Sequence, residues 1–149
     1  LVLIGQSEVL PALFDKVIIP SFVRDELDRA QTPAAVRNWI QSPPAWLELH
    51  QHLEGPFDDA LGNLDEGERA ALALAASLGA DLVLLDDRQG VRVARKKGFR
   101  VIGTLRVLQL AAQRGLLDLA DAFERIKGTN FRYRQQVMDE LLKEEAQNR

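Results

Sequence analysis

Residues 64–117 read LDEGERAALALAASLGADLVLLDDRQGVRVARKKGFRVIGTLRVLQLAAQRGLL, and this stretch decides the fold class. From Asp65 the chain places Ala and Leu at helical spacing, and Gly79 suits the position just past a helix C-terminus. DLVLL, residues 81–85, is a near-continuous apolar run of the kind found in buried parallel strands. A basic helix is predicted from about Gln89 to Lys97, ending at Gly98, with a short strand following from Phe99 to Ile102. Thr104 then reads as the cap of a helix to Arg114, closed by Gly115. Helix and strand alternate. That implies an α/β domain of three layers, a parallel sheet with right-handed crossovers flanked by helices.

Upstream, the apolar opening run through Gly5 is too short for periodicity to separate helix from strand. Residues 8–14 read as a short helix, and Val17-Ile18-Ile19 as a β-branched strand closed by Pro20. Ser21 is expected to cap a helix to about Ala30, and Thr32-Pro33 to open another to about Ile40. Pro43-Pro44 stops that helix, Trp46 to Leu49 reads as a strand, and residues 51–64 as a loop punctuated by Gly55-Pro56. Downstream, helices are expected over about 118–126 and 131–144, with a fraying EEAQNR tail. The helix that begins near 131 carries Val137, Met138, Leu141 and Leu142 on one face, which suits packing on the domain or on a partner. At 149 residues the size prior is one domain. Such a chain buries about two-thirds of the surface its unfolded form exposes.

Composition narrows the function classes. There is no cysteine, which excludes disulfides, zinc–thiolate sites and a cysteine nucleophile, and is compatible with a cytoplasmic, reducing location. No apolar stretch approaches a membrane-spanning length, and LVLIGQSEVL lacks the basic start and cleavage site of a signal peptide. The 19 basic and 22 acidic residues give a net charge of −3. A nucleic acid would therefore be held by a local patch, with help from bound metal, and not by bulk charge.

In a parallel sheet flanked by helices, sites form outside the carboxyl ends of the strands. The residues just after Ile19, Leu85 and Ile102 are therefore the ones to inspect, and three acidic positions, Glu26, Glu68 and Asp86 with its neighbour Asp87, look placed. Glu26 lies within the apolar stripe of Phe22, Val23, Leu27 and Ala30, where a carboxylate is costly unless paired or bound to metal. It reads either as a stripe-edge carboxylate paired with Arg24 or Arg29, or as a ligand. Glu68 is one turn before Ala71, Leu72 and Ala75, on the same inward face; with Asp65 it also resembles a capping box, which needs no metal. Asp86 and Asp87 follow the strand at 81–85. One of the two can cap the next helix while the other points into a site. Hard cations such as Mg²⁺ and Mn²⁺ take oxygen ligands, often only a few carboxylates, and keep several waters.

The quoted stretch at 64–117 is similar to the second half of PIN-domain proteins, among them the VapC-like toxins. It is closest to an uncharacterised branch with Gly-Glu opening an Ala/Leu helix and a strand ending in Asp with an acidic neighbour. An Arg/Lys-rich helix and a Gly-Thr turn follow in that branch. VIIPSFVRDEL, residues 17–27, resembles the strand, Pro and Glu-bearing helix of the first half. The resemblance covers nearly the whole chain and implies a Rossmann-like sheet and a Mg²⁺- or Mn²⁺-dependent endoribonuclease. By position it implies Glu26, Glu68 and Asp86 as metal ligands, Asp87 as the acidic neighbour that assists, and Thr104 as the turn hydroxyl that meets nucleic acid. It further implies RNA as substrate and, for toxin relatives, a small antitoxin partner and a homodimer. The family's first strand carries an Asp in a segment like VxDxSPL. The sequence begins where that segment would end, so the expectation is either a missing first strand or residues 1–4 serving as its replacement. The alternative in function is a catalytically inactive PIN-like module that binds RNA or a protein.

Other features have competing uses. Arg88, Arg92 and Arg95 share one helix face after the acidic pair and suit phosphate contact, or a solvated exterior. Lys96 and Lys97 suit the negative end of the helix dipole. His50 and His52 alternate on one strand face without a third ligand nearby. Trp46, Phe131 and Tyr133 could stack bases, though aromatics on amphipathic segments are more often core residues. A nucleotide-binding doubly wound domain is disfavoured, because no Gly-rich phosphate loop follows any predicted strand.

Overall fold

The structure, a computed structural model, describes residues 1–51 and 66–147. Along the chain run a 3-10 turn at Val2–Ile4, then α1 (Val9–Leu13), β1 (Val17–Pro20), α2 (Ser21–Leu27), α3 (Ala34–Gln41) and β2 (Leu47–His50). After the undescribed segment come α4 (Glu66–Leu78), β3 (Val83–Leu84), α5 (Arg88–Lys96), β4 (Val101–Ile102), α6 (Thr104–Gln113), α7 (Leu119–Lys127) and α8 (Gln135–Gln147). The fold is α/β, with parallel strands flanked by helices. The expected loop at 51–64, together with Asp65 and His52, lies outside the described residues except for Gln51. No helix among the described residues is long and apolar enough to cross a membrane.

Packing divides the chain into two compact units: residues 16–102, and residues 1–15 with 103–149. The unit of residues 16–102 holds all four strands. β1 and β2 pair in parallel with Val17 opposite Leu47 and Ile19 opposite Leu49. β3 and β4 pair in parallel with Val83 opposite Val101, and Leu85 extends the ladder by donating its N–H to Ile102 O at 3.0 Å. These are two separate two-stranded sheets, and among the described residues no strand joins β1 to β3. α4 packs on both β1 and β3, and α2 packs on α4. The core around β3 gathers Leu72, Ala75, Val83, Leu85 and Ala94.

The other unit is helical. Ile4, Leu108, Leu119, Ala122, Phe123, Ile126 and Met138 form its core. Residues 1–4 therefore do not replace a strand: Val2–Ile4 is a 3-10 turn that puts Ile4 into this helical core. The C-terminal apolar face packs inside the unit as well, with Met138 fully buried and Leu141 and Leu142 against the same cluster. Gln109 pins α6 to α8, its Nε2 donating to Glu144 Oε2 at 2.9 Å and Leu141 O at 3.3 Å.

Several local expectations shift, each for a visible reason. Ser21 is the first helical residue and Pro20, in extended backbone, holds the cap position. α2 ends at Leu27, short of Ala30, and the Thr32 hydroxyl donates to Glu26 O at 2.9 Å to satisfy a carbonyl at its end. Thr32 is thereby engaged with α2, and Pro33 takes the cap position of α3. β3 is two residues long, and Leu84 is 39% exposed because its face of the strand is uncovered. Thr104 is the first residue of α6 and Gly103 its cap. α8 continues through Gln147, so the EEAQ segment is helical.

Candidate active site

Within residues 16–102, Glu26, Glu68 and Asp87 lie at the first turns of α4 and α5. Glu26 is half-buried on α2, and its carboxylate lies on Gly67, the second residue of α4. A Cβ at Gly67 would stand 2.7 Å from Glu26 Oε1 and 3.0 Å from Oε2. The next residue, Glu68, reaches the other way, to Gly90, the third residue of α5. A Cβ at Gly90 would lie 3.5 Å from Glu68 Oε2 and 3.7 Å from Asp87 Oδ2, so two carboxylates share one small region. Each contact is at a helix start, where unpaired N–H groups and the helix dipole favour negative charge by about 0.3–1 kcal/mol.

Asp86 and Asp87 divide their roles. Asp87 is the N-cap of α5, its Oδ2 accepting the Gly90 N–H at 2.9 Å. Asp86 is exposed, one residue after Leu85 makes the last β3 ladder bond. Beyond them Arg88, Arg92 and Arg95 are exposed along α5, so the basic face begins directly after the acidic pair. On α2, Arg24 is engaged with Asp25 at 2.9 Å, and the Arg29 guanidinium stands 6.0 Å from the centre of the Phe22 ring. Thr104 belongs to the other unit, where it is 7% exposed at the start of α6.

Carboxylate oxygens are the donors that hard divalent cations take, and the bare α-carbons of Gly67 and Gly90 leave space beside them. The donors stand as two half-sites, Glu26 at Gly67 and Glu68 with Asp87 at Gly90. As the side chains stand, no three His, Asp or Glu among the described residues gather closely enough to enclose a metal ion. The donor chemistry is of the kind a hard divalent cation takes, and the described carboxylates do not by themselves close around one.

Other sequence candidates have partners of their own. His50 pairs with Glu48 at 3.4 Å. The Trp46 ring packs against Trp39 with centroids 6.0 Å apart. Phe131 packs against the helical core. The residues that sequence reasoning passed over are Gly67 and Gly90. A signal was present at Gly67: glycine is a poorer helix former than alanine, so a glycine opening the Ala-rich α4 asks for a close approach.

A family model described as a PIN domain matches residues 1–147. No match to the chain is found among curated proteins or among solved structures. The model's range takes in every acidic position above, and the family is one of nuclease type. The chain belongs to the PIN-domain family.

Proposed function

We propose that this protein is a Mg²⁺- or Mn²⁺-dependent endoribonuclease of PIN type. The observation that carries the reading is the placement of Glu26 at the first turn of α4 and of Glu68 with Asp87 at the first turn of α5, with an exposed arginine face beginning at the next residue. Glu26, Glu68 and Asp86 would hold the ion, directly or through water. The ion supplies charge neutralisation at phosphoryl oxygens and a more acidic bound water. The chain's own groups do the rest. Asp87 fixes the start of α5 and keeps Asp86 at the strand end. Arg88 and Arg92 hold phosphates of the RNA strand by charge-assisted hydrogen bonds. Thr104 enters this reading by resemblance only; its burial fits a packed hydroxyl better than an RNA contact.

The likeness to VapC-type toxins extends the proposal to a toxin role, with a small antitoxin protein as partner and a homodimer as the working assembly. One observation favours a second reading, an inactive PIN-like module that binds RNA or a protein: the described carboxylates do not close into a three-ligand group. Incubation of single-stranded RNA with the protein over a Mn²⁺ series separates the two. Metal-dependent fragments abolished by chelation support the nuclease. RNA retained intact at every Mn²⁺ concentration supports the binding module.

A further inference from the structure

We propose that Gly67 is a positioning residue whose missing side chain seats the Glu26 carboxylate; its bearing on metal binding rests on the function proposed above. The three atoms nearest a Cβ at Gly67 all belong to the Glu26 carboxyl group, at 2.7, 3.0 and 3.1 Å. Real Cβ atoms do not approach other heavy atoms as closely as the first of these, so alanine at 67 cannot coexist with Glu26 in its present place. The group that yields is the tip of a flexible side chain and not backbone. The cost thus falls on Glu26's position and leaves the fold intact. Gly67 has ordinary helical backbone, with no positive φ that would require glycine there. Conformational freedom therefore does not explain its presence, and helix propensity argues against it.

Gly90 differs in degree. Its nearest neighbour across the site, Glu68 Cδ, would be 3.4 Å from a Cβ, which is ordinary contact. Of the two glycines, only Gly67 is sterically obligatory for a carboxylate's placement.

The test uses the whole protein with Gly67→Ala, Glu26→Ala and the double variant, melted by heat without metal and with Mn²⁺ alone. Without metal, Gly67→Ala is expected to raise the melting midpoint in the Glu26→Ala background, where the three closest contacts are gone and the helix gains. In the wild-type background the same change is expected to give no rise, since Glu26 must first be displaced. An equal rise in both backgrounds would overturn the proposal, because the two residues would then be uncoupled. With Mn²⁺, a ligand that binds the folded state raises the midpoint in proportion to the logarithm of its occupancy. Gly67→Ala is expected to weaken Mn²⁺ binding about tenfold or more, as loss of a ligand-orienting contact does, and to add nothing to Glu26→Ala. Wild-type Mn²⁺ affinity in Gly67→Ala would also overturn the proposal. A wild-type protein whose midpoint ignores Mn²⁺ would instead overturn the metal reading, and the metal-free comparison would still decide whether Gly67 seats Glu26.

Discussion

The Asp87 carboxylate accepts the backbone N–H of Gly90 at 2.9 Å and so caps α5, at the same turn where the Glu68 carboxyl group lies 3.4 Å from the Cβ position of Gly90. Asp87 thereby caps α5, while Asp86 sits at the end of β3, and both residues are exposed. The pair looks redundant in sequence and is divided in space.

That division predicts different phenotypes for adjacent substitutions. Asp87→Ala removes a cap and is expected to lower stability by about 1 kcal/mol, within the range of roughly 0.5–2 kcal/mol seen for such losses. Asp86→Asn, a near-isosteric change at an exposed position, is expected to stay within about 0.5 kcal/mol. Urea unfolding of the two variants side by side checks this; equal losses would mean that Asp87 is not acting as the cap.

The destination of the C-terminal helix gives a second prediction. Met138 is fully buried among Leu108, Leu119, Phe123 and Ile126. Met138→Ala is expected to cost about 2–5 kcal/mol through lost burial and the cavity left behind. A helix reserved for a partner would instead give a loss below about 1 kcal/mol, the level of surface changes, in the isolated protein.

The arginine face on α5 predicts a salt signature. For single strands the slope of log affinity against log salt changes by about 0.7 for each phosphate contact. Arg88→Ala and Arg92→Ala are each expected to flatten the RNA-binding slope by about that amount. Fluorescence anisotropy with a labelled RNA across a salt series measures it, and an unchanged slope would place these arginines outside the RNA path.

Much of the fold was legible in the sequence, because periodicity and punctuation act locally. Gly79, Gly98 and Gly115 all adopt positive φ just past helix ends, as their positions after α4, α5 and α6 suggest. Cap identity was less legible. Ser21 and Thr32 have the right chemistry, but a neighbouring proline in extended backbone takes the cap position in both cases, and the Thr32 hydroxyl serves the end of α2. The DLVLL run promised a strand buried on both faces. Only alternate residues Val83 and Leu85 are buried, while Leu84 on the opposite face is 39% exposed. The destination of α8 is a long-range packing fact that no local pattern encodes.

The candidate site divides similarly. Residue types and spacing marked Glu26, Glu68, Asp86 and Asp87. The seat that holds the Glu26 carboxylate was invisible to a reading that looked for functional groups, since Gly67 acts by lacking a side chain. Which of the adjacent aspartates caps α5 could be decided only by the backbone geometry at Gly90.

The central claim is that the acidic residues at the starts of α4 and α5 form a metal-dependent RNA-cleaving site, with Asp86 as a ligand. The most direct measurement is Mn²⁺-dependent cleavage of single-stranded RNA by wild type and Asp86→Asn at equal, verified folded fraction. The account predicts cleavage by wild type and none above background by Asp86→Asn, with RNA binding retained. Cleavage by Asp86→Asn at the wild-type rate would contradict it.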